Sequence, residues 1–316
     1  MGRADRYSQP DAPDPVLEPE LVLSLARPHL PAGRWVSRVE EVDESGGEAR
    51  AYLLDGDLVV KTQRPHRLRP RTSLAKEAAL LTALAGPLAG RIPTLFGYGQ
   101  VRTVAGGVEL IVMSRVAGRP VQYLAVAPAA RIRLIADVGR LLRTVHPLDA
   151  AAAPVGGLVP VDGNWSAVHR RLEWGFADLL EAHAGIPAGP PLPVPAERVA
   201  ARALAALPTG SEWRPVVLHS NPGTTHVFAD RAGAFTGVID FGDAFLSHPA
   251  LDLCSWPDPA DRVRLREAYL DGGQASRDFD AVWTVTMLYA DLSVLAGRSV
   301  FAGAAREDLA SRLAQL

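Results

Sequence analysis

Residues 216–253, VVLHSNPGTTHVFADRAGAFTGVIDFGDAFLSHPALDL, decide how the rest of the chain is read. Short apolar, β-branched runs alternate here with polar loops, the pattern of strands ending in turns. The first run, at 216–218, delivers His219, Ser220 and Asn221; the run at 236–239 delivers Asp240, Phe241, Gly242 and Asp243. Groups able to hold protons and cations therefore stand at the ends of neighbouring strands.

Working outward, residues 35–62 carry a β pattern broken by Ser45-Gly46-Gly47 and by Asp55-Gly56, both turn signals. Leu74, Leu80, Leu81 and Leu84 share one face of a helix predicted over 72–84. Two further strands are expected around 94–97 and 108–113, and a short helix over 19–27. Beyond Arg115 the periodicity turns helical, with helices expected over 127–145, 165–183, 261–270, 278–296 and 305–316. A Pro/Gly-rich linker is expected near 185–195. The spacing predicts an α+β chain whose N-terminal part is β-rich and whose larger C-terminal part is mostly helical.

Composition removes several function classes. With 33 basic and 35 acidic residues the net charge is −2, which gives no basic footprint for nucleic acid or for an anionic membrane. No run of eighteen apolar residues suggests a membrane span, and the polar, proline-rich start lacks the apolar stretch of a signal peptide. The lone Cys254 excludes an internal disulfide and fits a reducing cytoplasm. A monomer or weak homodimer is expected. Only Lys61 and Lys76 are lysines among the 33 basic residues. In an arginine-rich background a retained lysine marks a place where a compact point charge is needed.

His219-Ser220-Asn221 with His226, then Ile239-Asp240-Phe241-Gly242-Asp243 and His248-Pro249-Ala250-Leu251-Asp252-Leu253, resemble the catalytic and metal loops of the aminoglycoside phosphotransferase family. That family consists of small-molecule kinases with the protein-kinase-like fold. The metal loop matches closely. The catalytic loop departs: Asn221 stands where the family has Asp, and His226 where it has Asn.

The resemblance implies a two-lobed molecule: an arm at 1–16, a nucleotide-binding lobe at 17–115, and a lobe at 116–316 with the catalytic and acceptor machinery. It implies ATP or GTP with Mg²⁺, and a hydroxylated small molecule, of antibiotic type, as acceptor. Lys61, held by Glu77, would reach the α- and β-phosphates, and Ser45 with Gly46 would cover them. Met113, Ser114 and Val116 would form the purine hinge. Asp240 would hold the metal with His226 as second ligand, although Mg²⁺ prefers oxygen to imidazole. His219 would position the loop, Asp243 would be structural and bond backbone amides, and Lys76, beside Glu77, would point elsewhere on the helix and lie on the surface. Asn221 would orient the acceptor hydroxyl, but an amide cannot take its proton. That change leaves three readings open: a slow kinase, a nucleotide-binding pseudokinase, or a substitution engineered to trap substrate. Acceptor candidates are Trp165, Glu173, Trp174, Trp256, Asp258 and Tyr289, since aromatic faces stack on sugars and carboxylates attract amino-sugar cations.

Overall fold

The computed structural model describes residues 7–104, 106–152, 154–184, 194–210, 212–297 and 299–316. Most of the expected linker, 185–193, lies outside them. The chain forms two compact units. The first comprises Met1–Arg119, Asp149–Pro160 and Thr236–Ala244; the second comprises Pro120–Leu148, Val161–Phe235 and Phe245–Leu316. A single boundary near Arg115 therefore misses two later segments, because residues 236–244 pack with the N-terminal sheet and helices.

The first unit is built on an antiparallel five-stranded sheet of β1 (Val39–Asp43), β2 (Ala49–Leu54), β3 (Leu58–Gln63), β4 (Leu95–Thr103) and β5 (Gly106–Ser114), in the order β1-β2-β3-β5-β4. Helix α1 (Pro19–Ala26) contributes Val22, Leu23 and Ala26 to a core with Tyr52, Leu54, Leu58, Val60, Leu110 and Val112. Side chains alternate across a strand. With Leu58 and Val60 turned to that core, Val59 and Lys61 face the opposite side of the sheet. Helix α2 (Leu74–Leu84) carries Glu77 and is buried along most of its length. Ser73 caps α2 by accepting from Lys76 N, and the Glu109 carboxylate accepts from Leu74 N at 2.9 Å and Ala75 N at 3.2 Å. An anion at a helix start meets both the orphan amides and the positive end of the dipole.

Residues 7–16, expected as a loose arm, are tied down. Arg50, 1% exposed on β2, donates to Pro15 O at 2.6 Å and Asp14 Oδ2 at 3.0 Å, and Arg64 donates to Asp14 Oδ2 at 2.7 Å. Proline-rich composition suggested a solvated segment. The buried guanidinium of Arg50 on β2, a long-range partner, overrides it.

The second unit is mainly helical: α3 (Pro128–Val145), α4 (Trp165–Ala184), α5 (Ala196–Ala205), α6 (Pro259–Leu270), α7 (Arg277–Ala296) and α8 (Ala302–Gln315). Short strands β6 (Val216–Leu218) and β7 (Phe245–Ser247) pair antiparallel, with Leu218 opposite Phe245. Helix α7 is long and apolar enough by composition to span a membrane. Eleven of its residues, from Phe279 to Val294, are buried in this unit, and one of them, Asp291, pairs with the buried Arg262 of α6. It is a core helix.

Candidate functional site

In the first unit the alternation of β3 brings Lys61 to α2. Its Nζ donates to Glu77 Oε2 at 2.7 Å and to Asp240 Oδ1 at 2.6 Å. Glu77 is fully buried, whereas the Asp240 side chain is 37% exposed. Burial alone would lower the Lys61 ammonium, but the two carboxylates outweigh it and hold the group above the usual lysine value. Lys61 is a cation throughout the physiological range. Burial pushes the Glu77 carboxyl up and Lys61 opposes this. The second Glu77 oxygen, Oε1, has no hydrogen-bond partner.

The segment 69–77 together with Lys61 grips each residue from 240 to 244. Asp240 takes Lys61. The Phe241 amide hydrogen-bonds the Glu77 carboxylate, and Gly242 O accepts from Ser73 N at 3.4 Å. Asp243 Oδ1 accepts from Thr72 Oγ1 at 2.6 Å, and its other oxygen pairs with Arg69. Ala244 O accepts from Lys76 Nζ at 2.6 Å. Asp240 itself adopts φ +74°, a left-handed conformation uncommon outside glycine.

Two expectations are corrected in this loop. Asp243, expected to bond backbone amides, bonds side chains. Lys76, expected on the surface, is fully buried, its Nζ shared between Ala244 O and Arg71 O at 2.6 Å each. Burial lowers its ammonium to about 8. The scarcity of lysine flagged both positions, but helix periodicity could not show that Ala244, 168 places later, would cover Lys76.

In the second unit β6 ends at the loop that begins with His219, Ser220 and Asn221. Asp252, buried, accepts from His219 N and Ser220 N at 2.7 Å each, and from His146 Nε2 at 3.2 Å. Ser220 has φ +83°. Buried His219 accepts from Asn221 N at 3.3 Å through Nδ1, and the His226 Nδ1–H donates to Asn221 O at 3.0 Å. The exposed Asn221 side chain is thus presented from a backbone held on both sides. Trp256 donates its indole N–H to Pro222 O at 3.0 Å. Gly223 is required by close approach, since a Cβ there would lie 2.6 Å from Ser255 O.

The remaining candidates fall unevenly. Ser45 N donates to Asp43 Oδ1 at 2.8 Å, and the carbonyls of Glu44 and Gly46 accept from Arg64, so the β1–β2 turn is drawn toward Arg64. Met113 is buried in β5 opposite Val59; Ser114 exchanges hydrogen bonds with Thr94, and Val116 is buried. A recess of about 240 Å³ lies beside them, lined by Gly56, Asp57, Arg115, Ala117 and Gly118.

Among the acceptor candidates, Trp165 and Trp256 are buried and present no face to a solute. Trp165 packs against Trp213 and His248, and Trp256 supports the loop. Asp258 caps α6 by accepting from Ala260 N. Tyr289 packs edge-on to Phe176. On α4, Glu173 is exposed and Trp174 is 58% exposed. Aromatic and acidic residue types carried no sign of which were core, because burial is decided by neighbours distant in sequence. Burial also pushes the Cys254 thiol up to about 11, which leaves it without nucleophilic character at neutral pH.

Among the described residues no group of three or more His, Cys, Asp or Glu could cage a metal. Mg²⁺ needs no such cage when it arrives on a nucleotide: one or two carboxylates suffice beside phosphate and water oxygens. The part-exposed Asp240 oxygens fit that demand. His226 fits it poorly, since imidazole nitrogen is a weak Mg²⁺ donor and Nδ1 is committed to Asn221 O.

A family model for the phosphotransferase enzyme family matches residues 40–284. No curated protein matches the chain. Among solved structures, the apoenzyme of macrolide 2′-phosphotransferase MphH from Brachybacterium faecium is 24% identical with a TM-score of 0.57, covering 93% of this chain and 97% of that one. The GDP and kanamycin complex of APH(2")-IIia is 17% identical with a TM-score of 0.59, covering 94% and 96%. The streptomycin–ATP ternary complex of APH(2")-IIa is 15% identical with a TM-score of 0.57, covering 93% and 99%. At these identities the likeness carries the α+β fold.

Proposed function

Because the chain belongs to the phosphotransferase enzyme family, we propose that it moves the γ-phosphoryl group of ATP or GTP to a hydroxyl of a small molecule. The observation that carries this reading is Lys61 held between Glu77 and Asp240. A cation fixed by a buried carboxylate is a preorganised partner for phosphate oxygens, and the nucleotide would replace Asp240 on Lys61, leaving that carboxylate for the metal. Mg²⁺, when bound there, neutralises charge on the β- and γ-phosphate oxygens.

The acceptor hydroxyl is oriented by Asn221, whose amide oxygen accepts its hydrogen bond. General-base help of roughly 10²–10⁴-fold is forgone. Phosphoryl transfer is largely dissociative, so positioning and charge neutralisation supply most of the acceleration. The result is a slow kinase. The acceptor is a hydroxylated antibiotic, aminoglycoside-like, nucleoside or macrolide, with Glu173 and Trp174 as the exposed charge and stacking face. Kanamycin and streptomycin in the similar structures support this class.

Asn221 favours one competing reading, a pseudokinase that binds nucleotide without turning it over. The two separate on product formation. With Mg·ATP or Mg·GTP and a panel of hydroxylated antibiotics, the wild type should yield phosphorylated product slowly, and Asn221→Asp should raise the rate by about 10²- to 10⁴-fold. Nucleotide binding by both proteins with product from neither would leave the pseudokinase.

A further inference from the structure

The only two lysines of the chain close on the same five-residue loop. Lys61 takes its first residue, Asp240, and Lys76 takes its last, through Ala244 O. They flank Glu77, which receives Lys61 and the Phe241 amide. Lys61 is hydrogen-bonded to carboxylates, whereas Asp243 and Glu77 favour the Lys76 charge only through space. Lys76 is fully buried with its Nζ on two backbone carbonyls, Ala244 O and Arg71 O, at 2.6 Å each. Placing an ammonium in such a setting is costly unless its hydrogen bonds are needed. A fold seeking only stability would fill that position with an apolar side chain, as it does at Leu74, Ala78, Leu80 and Leu81 of the same helix.

What the two carbonyls share is geometry. Arg71 belongs to the segment that, through Arg69, Thr72 and Ser73, holds Asp243 and Gly242. Ala244 is where the loop turns into the strand that follows. A three-donor ammonium can bridge two converging carbonyls from one point, which the fork of arginine cannot do in the same space. This accounts for lysine at a position where the chain elsewhere uses arginine.

We propose that Lys76 is a positioning residue for the metal loop, its ammonium cross-linking Ala244 O to Arg71 O so that Asp240 is held at the angle needed to meet a nucleotide-borne divalent cation. The inference rests on the function proposed above. It acts through Asp240, and therefore separates metal-dependent binding from binding in general.

The test titrates Mg²⁺ into full-length protein with saturating ATP, and separately GTP, and follows the melting temperature; the same nucleotides are measured in EDTA. Lys76→Met keeps length and volume without the donor. It should raise the Mg²⁺ concentration for half-maximal stabilisation by about tenfold, with nucleotide affinity in EDTA unchanged. Amide exchange at residues 241–244 of the ligand-free protein should quicken. Lys76→Gln retains a shorter donor able to reach one carbonyl and should raise the Mg²⁺ requirement about threefold.

A wild-type Mg²⁺ requirement in either folded variant overturns the proposal. So does an equal loss of binding with and without metal, which would mark Lys76 as merely structural, and so does failure of both variants to fold. Absence of any metal-dependent nucleotide stabilisation in the wild type would instead sink the nucleotide reading beneath it.

Discussion

Ser220 holds φ +83° although it carries a side chain, and its amide donates to Asp252 Oδ1 at 2.7 Å. Left-handed backbone costs an L-residue about 1–2 kcal/mol. Glycine would relieve that strain and lose about 0.4–1 kcal/mol through a freer unfolded chain. Ser220→Gly should therefore stabilise the protein by about 0.5–1 kcal/mol, read as a rise in denaturant midpoint at unchanged slope. A fall would show that the Ser220 hydroxyl makes a bond worth more than the strain. Asp240 carries the same kind of backbone, φ +74°, at the other loop. Strain of this kind persists where surrounding contacts over-determine it. The grip on 240–244 and the Asp252 anchor are those contacts. None of this was legible at the residue scale: the motif located Asp240 and Asn221, but not the φ at which either loop is held.

At the scale of elements, the strand periodicity of β3 is what turns Lys61 toward Glu77 and Asp240. Leu58 and Val60 pack against α1, which forces Lys61 to the other face, toward Glu77 on α2. β2 shows the same division with a different outcome, since Arg50 there is buried and binds residues 14–15 and Glu44. Arg50→Ala should cost about 2–3 kcal/mol, below the usual loss for a buried pair because Asp14 keeps Arg64 as partner. Amide exchange should rise at Leu17, whose N–H donates to Tyr52 Oη at 2.9 Å. Unchanged exchange there would mean that Arg64 alone secures the segment.

At the scale of the whole molecule, stability should depend on pH through His248. Burial depresses its imidazole from 6.5 to about 4, so the folded protein keeps it neutral where the unfolded chain would protonate it. The stabilisation from this group is present above about 6.5 and is lost as pH falls toward 4. The ceiling for the group is about 3 kcal/mol. Asp278 and His146 are the charges nearest in effect, acting in opposite directions. His248→Asn retains an acceptor for Ala250 N, which His248 Nδ1 now caps at 3.3 Å, and removes the titration. Its melting temperature should fall less than that of the wild type between pH 6.5 and 4; parallel curves would exclude His248 as the source.

The α+β class and the strand–turn–strand spacing that places Asp240 and Asn221 at loop starts were written in local pattern, whereas the pairing of Lys61 with Glu77 was expected from the family resemblance. Periodicity and turn chemistry are short-range properties, and motif spacing records them directly. The fate of Lys76, Trp165, Trp256 and residues 7–16 was decided only in three dimensions. Each depends on a partner distant along the chain, such as Ala244 for Lys76 or Arg50 for Asp14. Burial is a property of what packs around a side chain, and neither its identity nor its sequence neighbours can state that.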